Sequence, residues 1–438
     1  MWICVGYCVN NFSQFLRMLI THRFSSEICG LFTSLSNLFF PLNSRILGVI
    51  HIFTSPTAET TNSFYIFIYK KPHHPRKEVI HIMKIICQKI NLLKSVNISL
   101  KAVPSKTTMP ILECILIDAT TNQIKFTTND MELGIETIVD GIIEEKGIIA
   151  LDAKIFYEII RRLPDNTVTI KTDEKLTATI TCEKAKFTIP GKSGEDFAYL
   201  PLIEKEESLT ISQFTLKEMI RQTIFSIASN ETNKLMTGEL FEIKNNYLKI
   251  VSLDGHRIAI RRMELKKDYA DRKVVVPGKT LNEISKILSG EIDDIVNIYF
   301  SKNHILFEFD QTIVVSRLID GEYFRIDQML SSDYATKVSL NKKDFLDSIE
   351  RAIILIREND KKPIILNIED SKMSLKLNSS FGTMNAEILI HKTGQDLMIG
   401  FNPKFLSDAL RIIDDEEVDL YMMNPKSPCF IKDADENY

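Results

Sequence analysis

Three stretches of this chain repeat one pattern at a fixed spacing. They are Ile149-Ala-Leu-Asp-Ala-Lys-Ile-Phe-Tyr-Glu-Ile-Ile-Arg-Arg-Leu163, Val274-Val-Val-Pro-Gly-Lys-Thr-Leu-Asn-Glu-Ile-Ser-Lys-Ile-Leu288 and Ile399-Gly-Phe-Asn-Pro-Lys-Phe-Leu-Ser-Asp-Ala-Leu-Arg-Ile-Ile413. Their lysines, Lys154, Lys279 and Lys404, fall 125 residues apart both times. An apolar residue follows each lysine by two positions (Phe156, Leu281, Leu406), and an acid by four (Glu158, Glu283, Asp408). Further apolar residues recur at helical spacing, with basic residues near the end of each copy. Self-similarity at so long a period means one domain-sized module used three times.

The length of 438 residues, with 44% apolar and 26% charged, suits three globular modules that each bury a core. The net charge of −4 is unevenly spread: residues 1–82 hold seven Lys/Arg against three Asp/Glu, leaving −8 on the rest. An acidic body disfavours nucleic acid as a partner unless the basic groups are gathered on one surface. Seven cysteines without a C-x-x-C pair read as free thiols in a reducing, cytoplasmic setting. Beyond residue 82 only His256, His304 and His391 remain, far apart in sequence, so neither a zinc site nor a histidine triad is indicated.

Residues 1–82 read as foreign to the rest. They hold Trp2, five of the eight histidines and apolar clusters with no sustained period. No apolar run there reaches the ~18–20 residues that span a bilayer, and no basic n-region precedes a signal-like core. The expectation is that translation starts at Met83, with 1–82 a non-native or disordered extension. A native peptide from residues 1–70 in a mass spectrum refutes this.

The body divides at 83–206, 207–332 and 333–438. In the first module, Lys84-Ile-Ile-Cys is a strand, and Leu92, Leu93 and Val96 give the next stretch a helical apolar face. Residues 84–106 carry five lysines and no acid. Strands are predicted over 111–117, 124–128, 133–139 and 148–151, then the repeated helix with Asp152 as N-cap, then a meander of alternating strands closing at Gly191–Gly194. The second and third modules open at Leu209 and Val338 with the same strand and helix, and Gly194-Glu-Asp-Phe197 is echoed by Gly321-Glu-Tyr-Phe324. Each module is therefore α+β, two helices on antiparallel sheet. The outward helix faces carry Lys and Arg. They are either ordinary solvated faces or, with three modules side by side, a common basic surface for a polyanion.

Candidate chemistry is thin. Gly278-Lys279-Thr280 imitates the end of a phosphate-binding loop, but Lys273 stands where its first glycine is needed. Asp254-Gly255-His256-Arg257 offers an acid and a base, or simply a turn between two strands; no nucleophile or second histidine accompanies it. Asp414-Asp-Glu-Glu417 lacks the alternating ligands of a calcium loop.

The modules, together with Thr108-Met-Pro-Ile-Leu112, Leu253-Asp-Gly-His-Arg257, Val276-Pro277 before a helix, Ile399-Gly-Phe-Asn402 and Ser427-Pro428, resemble the bacterial DNA polymerase III beta subunit, the sliding clamp, over residues 83–438. The resemblance implies a head-to-tail homodimer closed into a ring of six similar domains, helices lining a hole for duplex DNA and sheets outside. It implies no catalytic residue, no metal and no cofactor, and partners comprising double-stranded DNA, a DNA polymerase, a clamp loader and repair proteins that dock short linear motifs.

Carried over by position, the DNA-contacting residues implied are Lys106, Arg161, Asn230 and Lys234. Where a familiar member has two tyrosines, this chain has Lys234 and Leu235, which puts base stacking there in question. The motif pocket implied is Met236, Leu253, Gly255, His256, Arg257, Ile258, Pro277, Leu281, Asn402, Phe405 and Ser427. The ring interface implied sets Phe187 and Ile189 of one copy against Ile354 and Leu355 of the other. The chain stops at Asp433-Ala-Asp-Glu-Asn-Tyr438, where the family's last strand and tail are expected, so weakened motif binding is expected. Two other readings remain at this stage: a repeat-built protein scaffold, and a hydrolase using Asp254 and His256.

Overall fold

The computed structural model describes residues 82–229, 233–328, 330, 333–357 and 362–432, and two short strands before them. The chain divides into two units, Met1–Val79 and Ile80–Tyr438. In the first, β1 (Ile50–Thr54) and β2 (Phe64–Ile68) form an antiparallel hairpin.

The second unit is the threefold repeat. Module I contains β3 (Lys84–Gln88), α1 (Lys89–Ser99), β4 (Cys114–Asp118), β5 (Ile124–Asn129), β6 (Leu133–Val139), β7 (Gly141–Glu145), β8 (Ile148–Asp152), α2 (Ala153–Arg162), β9 (Thr167–Thr172), β10 (Thr177–Cys182) and β11 (Ala185–Lys192). Module II contains β12 (Ser208–Ser212), α3 (Gln213–Thr223), β13 (Gly238–Lys244), β14 (Tyr247–Leu253), β15 (Ile258–Glu264), β16 (Arg272–Pro277), α4 (Gly278–Ile287), β17 (Ile295–Phe300), β18 (His304–Phe309) and β19 (Thr312–Arg317). Module III contains β20 (Thr336–Asn341), α5 (Lys342–Ile353), β21 (Ile364–Glu369), β22 (Lys372–Ser379), β23 (Gly382–Leu389), β24 (His391–Gly394), β25 (Leu397–Phe401), α6 (Pro403–Ile412), β26 (Glu417–Met422) and β27 (Cys429–Lys432).

Each module builds an inner sheet (β6-β5-β4-β8, β15-β14-β13-β16, β23-β22-β21-β25), an outer sheet, and a helix pair that shares one apolar core with both. All strand pairs are antiparallel. The register repeats as well: Asn129 faces Gly134, Leu253 faces Ile258 and Asn378 faces Thr383 in equivalent hairpins. Outer strands β11 and β19 are equivalents, and β27 is the outermost described strand of module III. The continuation anticipated beyond it falls at 433–438, outside the described residues.

The repeated helices form for a local reason. Ala153, Phe156, Ile159 and Ile160 share the buried face of α2, and the Asp152 carboxylate accepts the Ile155 N–H at 2.8 Å as N-cap. Arg161 and Arg162 in the last turn complement the helix dipole. Asn402 caps α6 in the same way, accepting the Lys404 N–H at 3.0 Å. Asp152→Ala is expected to lower module I stability by ~1 kcal/mol, measured by chemical denaturation.

Two strand expectations shift. The predicted strand at 111–117 starts instead as a 3-10 turn, Pro110–Glu113, because Pro110 has no N–H to give a ladder. The edge strand β7 was not anticipated; its GIIEE sequence shows no alternation.

Modules I and II are joined by a continuous sheet. β19 pairs with β6, Val314 opposite Ile135 and Thr312 opposite Thr137, and Ala102, Leu133 and Ile135 of module I sit in the core of module II. The II–III junction is polar instead. Arg221 donates to the Ile412 carbonyl at 3.2 Å and to Asp414 at 2.8 Å, and Arg257 reaches Asp408 at 2.7 Å.

Candidate functional site

The repeated helices place equivalent charges on exposed faces. Lys154, Lys279 and Lys404 are all exposed at the second helical position. One turn on, Glu158 binds Arg161 at 2.8 Å and Arg162 at 3.0 Å, and Glu283 binds Lys286 at 2.8 Å. The hydrogen bond from Arg161 holds the Glu158 carboxyl below its usual range. Arg411 of α6 pairs with Glu350 of α5 at 2.8 Å. Of the proposed DNA contacts, Lys106, Arg161 and Lys234 are exposed, the first just after α1, the second on α2 and the third opening a short 3-10 turn. Asn230 lies outside the described residues.

The turn Asp254–Arg257 is a structural turn before it is anything else. The Asp254 carboxylate accepts the His256 and Arg257 N–H groups at 2.9 and 3.1 Å, and Gly255 adopts φ +88°, a left-handed conformation natural to glycine. Arg257 then makes the junction. Its guanidinium donates to Asp254 at 3.0 Å, Asp408 at 2.7 Å and the Phe225 carbonyl at 2.7 Å, and lies over the Phe405 ring at 4.6 Å. His256 stacks on the same ring at 5.8 Å. Both members of the hydrolase pair are thereby held in a turn and a stack, with no nucleophile in contact.

Beside the turn is a small apolar cluster on the outer face of the inner sheet. Leu240, Val251, Leu253, Val275, Tyr323 and Ile326 are buried, with Met236, Ile258 and Ile260 packed against them. The structure thus brings together Met236, Leu253 and Ile258, and separately His256, Arg257 and Phe405 across the junction. Pro277 ends β16 beside them, while Leu281 is fully buried in the module II core. Asn402 is engaged as the α6 cap, and Ser427 donates its N–H to Asn424 in the β26–β27 loop. Sequence reasoning missed Tyr323, Phe225 and Asp408. Asp408 had a signal as the acid four positions after Lys404 in the repeat, and Tyr323 had one in the echo of Gly194-Glu-Asp-Phe197 by Gly321-Glu-Tyr-Phe324, which marks a linker that packs on its own module.

Gly278, in the loop that imitates a phosphate site, has a packing role. A Cβ there would lie 2.4 Å from the Ile227 side chain, so the helix start needs glycine for close approach.

The four cysteines of the described body, Cys87, Cys114, Cys182 and Cys429, are free, and burial pushes the Cys87 thiol up to about 12. Among the described residues no group of three or more His, Cys, Asp or Glu is placed to hold a metal ion, and no helix is long and apolar enough to cross a membrane.

The proposed ring-interface residues lie on one strand, β11 (Phe187 and Ile189), and at the end of α5 (Ile354 and Leu355). Phe187 is 39% and Ile354 79% exposed. Phe187, Lys154, Ile155, Glu158, Ile159 and Arg162 line a mostly apolar groove of about 380 Å³ on α2 and β11. Their counterparts at the I–II junction are covered: Val314 of module II, equivalent to Phe187, is fully buried, and Ala102 of module I, equivalent to Leu355, is 1% exposed in the module II core.

Comparisons with known proteins agree along the whole body. Profiles of the DNA polymerase III beta subunit match as its N-terminal domain over residues 83–201, its central domain over 210–324 and its C-terminal domain over 327–438. The beta sliding clamp of Staphylococcus epidermidis is 32% identical over 366 residues, 81% of this chain and 97% of that protein. A crystal structure from Eubacterium rectale, named as a DNA polymerase III beta subunit, is 66% identical with a TM-score of 0.79, covering 81% of this chain and 97% of that one. The DNA polymerase sliding clamp of Bacillus subtilis is 32% identical with a TM-score of 0.77, covering 80% and 95%. With the threefold module, its register and its junctions already in hand, these matches show that the chain belongs to the DNA polymerase III beta subunit family, the bacterial sliding clamps.

Proposed function

We propose that two copies of this chain close head to tail into a ring of six modules around duplex DNA, in the cytoplasm, and tether a DNA polymerase to its template. Membership of the sliding-clamp family makes the chain a processivity factor and not a catalyst. The observation that carries the ring is the I–II junction: an outer strand (β19) of one module completes the inner sheet of its neighbour through β6. The same two kinds of strand stay open at the two ends of the repeat: β11 pairs over residues 185–190 with β10 alone, and β23 pairs with β22 alone. A bare edge is a template for pairing, and a second copy offers the matching partner for both.

Inside such a ring Lys106, Arg161, Asn230 and Lys234 would face phosphates. Contacts of this kind carry no sequence information and weaken with salt, so retention depends on encirclement. The pocket around Leu253 and Arg257 is the docking place for short motifs with leucine and phenylalanine anchors, on the polymerase, the loader and repair proteins. Apolar walls with a few polar groups suit that task.

Once loaded on a nicked circular plasmid, the protein is expected to co-elute with the DNA through a sizing column. It should be released when the circle is cut at one site. Equal retention on linear DNA, or none on circles after loading, overturns the proposal and favours a protein-only scaffold.

A further inference from the structure

The three modules match residue for residue, so the I–II junction serves as a template for the seam between two copies. Equivalent hairpin positions put Asp130, Asp254 and Ser379 at one place. Each anchors its own turn: Asp130 accepts the Glu132 and Leu133 N–H groups at 3.0 and 2.7 Å, and the Ser379 hydroxyl accepts the Phe381 N–H at 3.1 Å. At the I–II junction Asp130 also binds Lys279 of the next module, and its side chain is only 5% exposed.

A further polar link holds that junction: Thr137 of module I meets Thr312 of module II at 3.0 Å, both buried. Carried to the seam by the repeat, that pair becomes Ala386 with Ala185. The ion pair becomes Lys154 facing Ser379. The β19–β6 register likewise sets Phe187 opposite Met384, as Val314 stands opposite Ile135.

We propose that Ser379 sets the character of the seam: it lacks the carboxylate that the I–II junction has at Asp130, so the seam is without that ion pair and Lys154 is without its counterpart across it. This rests on the ring reading above and specifies a link that the seam lacks. Apolar contact is indifferent to moderate salt, whereas a partly exposed ion pair is screened.

The test measures the dimer dissociation constant of the full chain by sedimentation at 50 mM and 500 mM salt. Wild type sets the salt dependence against which the variants are compared. Ser379→Asp recreates the sister residue, so its turn is preserved, and it should tighten the dimer at low salt by roughly 4- to 20-fold, because two seams each gain an exposed-type ion pair. High salt should erase most of the gain, Ser379→Asn should show none, and Lys154→Ala should abolish it. An unchanged or weakened Ser379→Asp dimer, or a gain that survives Lys154→Ala, overturns the proposal. The ring reading is checked separately by joining Phe187→Cys and Met384→Cys into a disulfide-linked dimer under oxidation. If no such cross-link forms and the chain stays monomeric, the ring fails and the seam proposal with it.

Discussion

The stability of module II is expected to fall by about 3–5 kcal/mol between pH 5 and pH 8, and Glu239→Gln is expected to remove that slope. Glu239 lies on β13 with no exposed surface, and the weak support of the nearby Thr223 hydroxyl is outweighed by that burial. Burial without a nearby cation penalises the charged form and pushes its pKa up to about 8. In the unfolded chain the group ionises near its ordinary 4.5. Below that pH both states are protonated and nothing is lost. As pH rises toward 8 the unfolded state gives up its proton first, so the contribution declines by about 1.4 kcal/mol per pH unit and levels off once the folded carboxyl also ionises. Urea denaturation across this range measures it, and a slope that persists in Glu239→Gln refutes the assignment. The same carboxyl raises the Tyr323 phenol, second to that residue's own burial, which places the titration beside the apolar cluster of Leu253 and Tyr323.

Arg257→Ala is expected to cost about 2–4 kcal/mol at the II–III junction and to weaken capture of a leucine–phenylalanine motif peptide by at least roughly tenfold. The guanidinium is 17% exposed and neutralises both Asp254 and Asp408, whose side chains are 13% and 26% exposed. Removing it strands two carboxylates and the Phe225 carbonyl and takes away the cation lying on Phe405. Arg257→Lys should recover little, because one ammonium cannot make the planar fork that serves three acceptors at once. Calorimetry with the peptide and hydrogen exchange at the start of α6 report the two effects. Undiminished peptide affinity in Arg257→Ala would remove the junction from the docking site.

Much of the fold was legible because the signal was repeated. Helix α2, its cap Asp152 and its buried stripe follow from spacing alone, and the 125-residue lysine period supports α4 and α6 with it. The Asp-Gly turn was legible from its residue types. Contacts made by the tertiary fold were not: Arg257 and Asp408 are 151 positions apart, and nothing local marks them as partners. Glu239 carried a readable sign that was passed over. In β13 it shares the period-2 face of Phe241 and Ile243, so alternation already put a carboxyl on the core side. Leu281 shows the opposite limit. The resemblance put it in the pocket lining, whereas its helical spacing with Ile284 places it on the buried face of α4, in the module II core.

The β19–β6 pairing is directional, a donor strand on one module and an acceptor edge on the next. A closed ring assembled by that single rule cannot be turned over onto itself: its two rims differ, and both copies of the Leu253–Arg257 turn open on the same rim. Any protein that docks there approaches the duplex from one side only, so an object with no sequence preference still imposes an orientation on the machinery it carries.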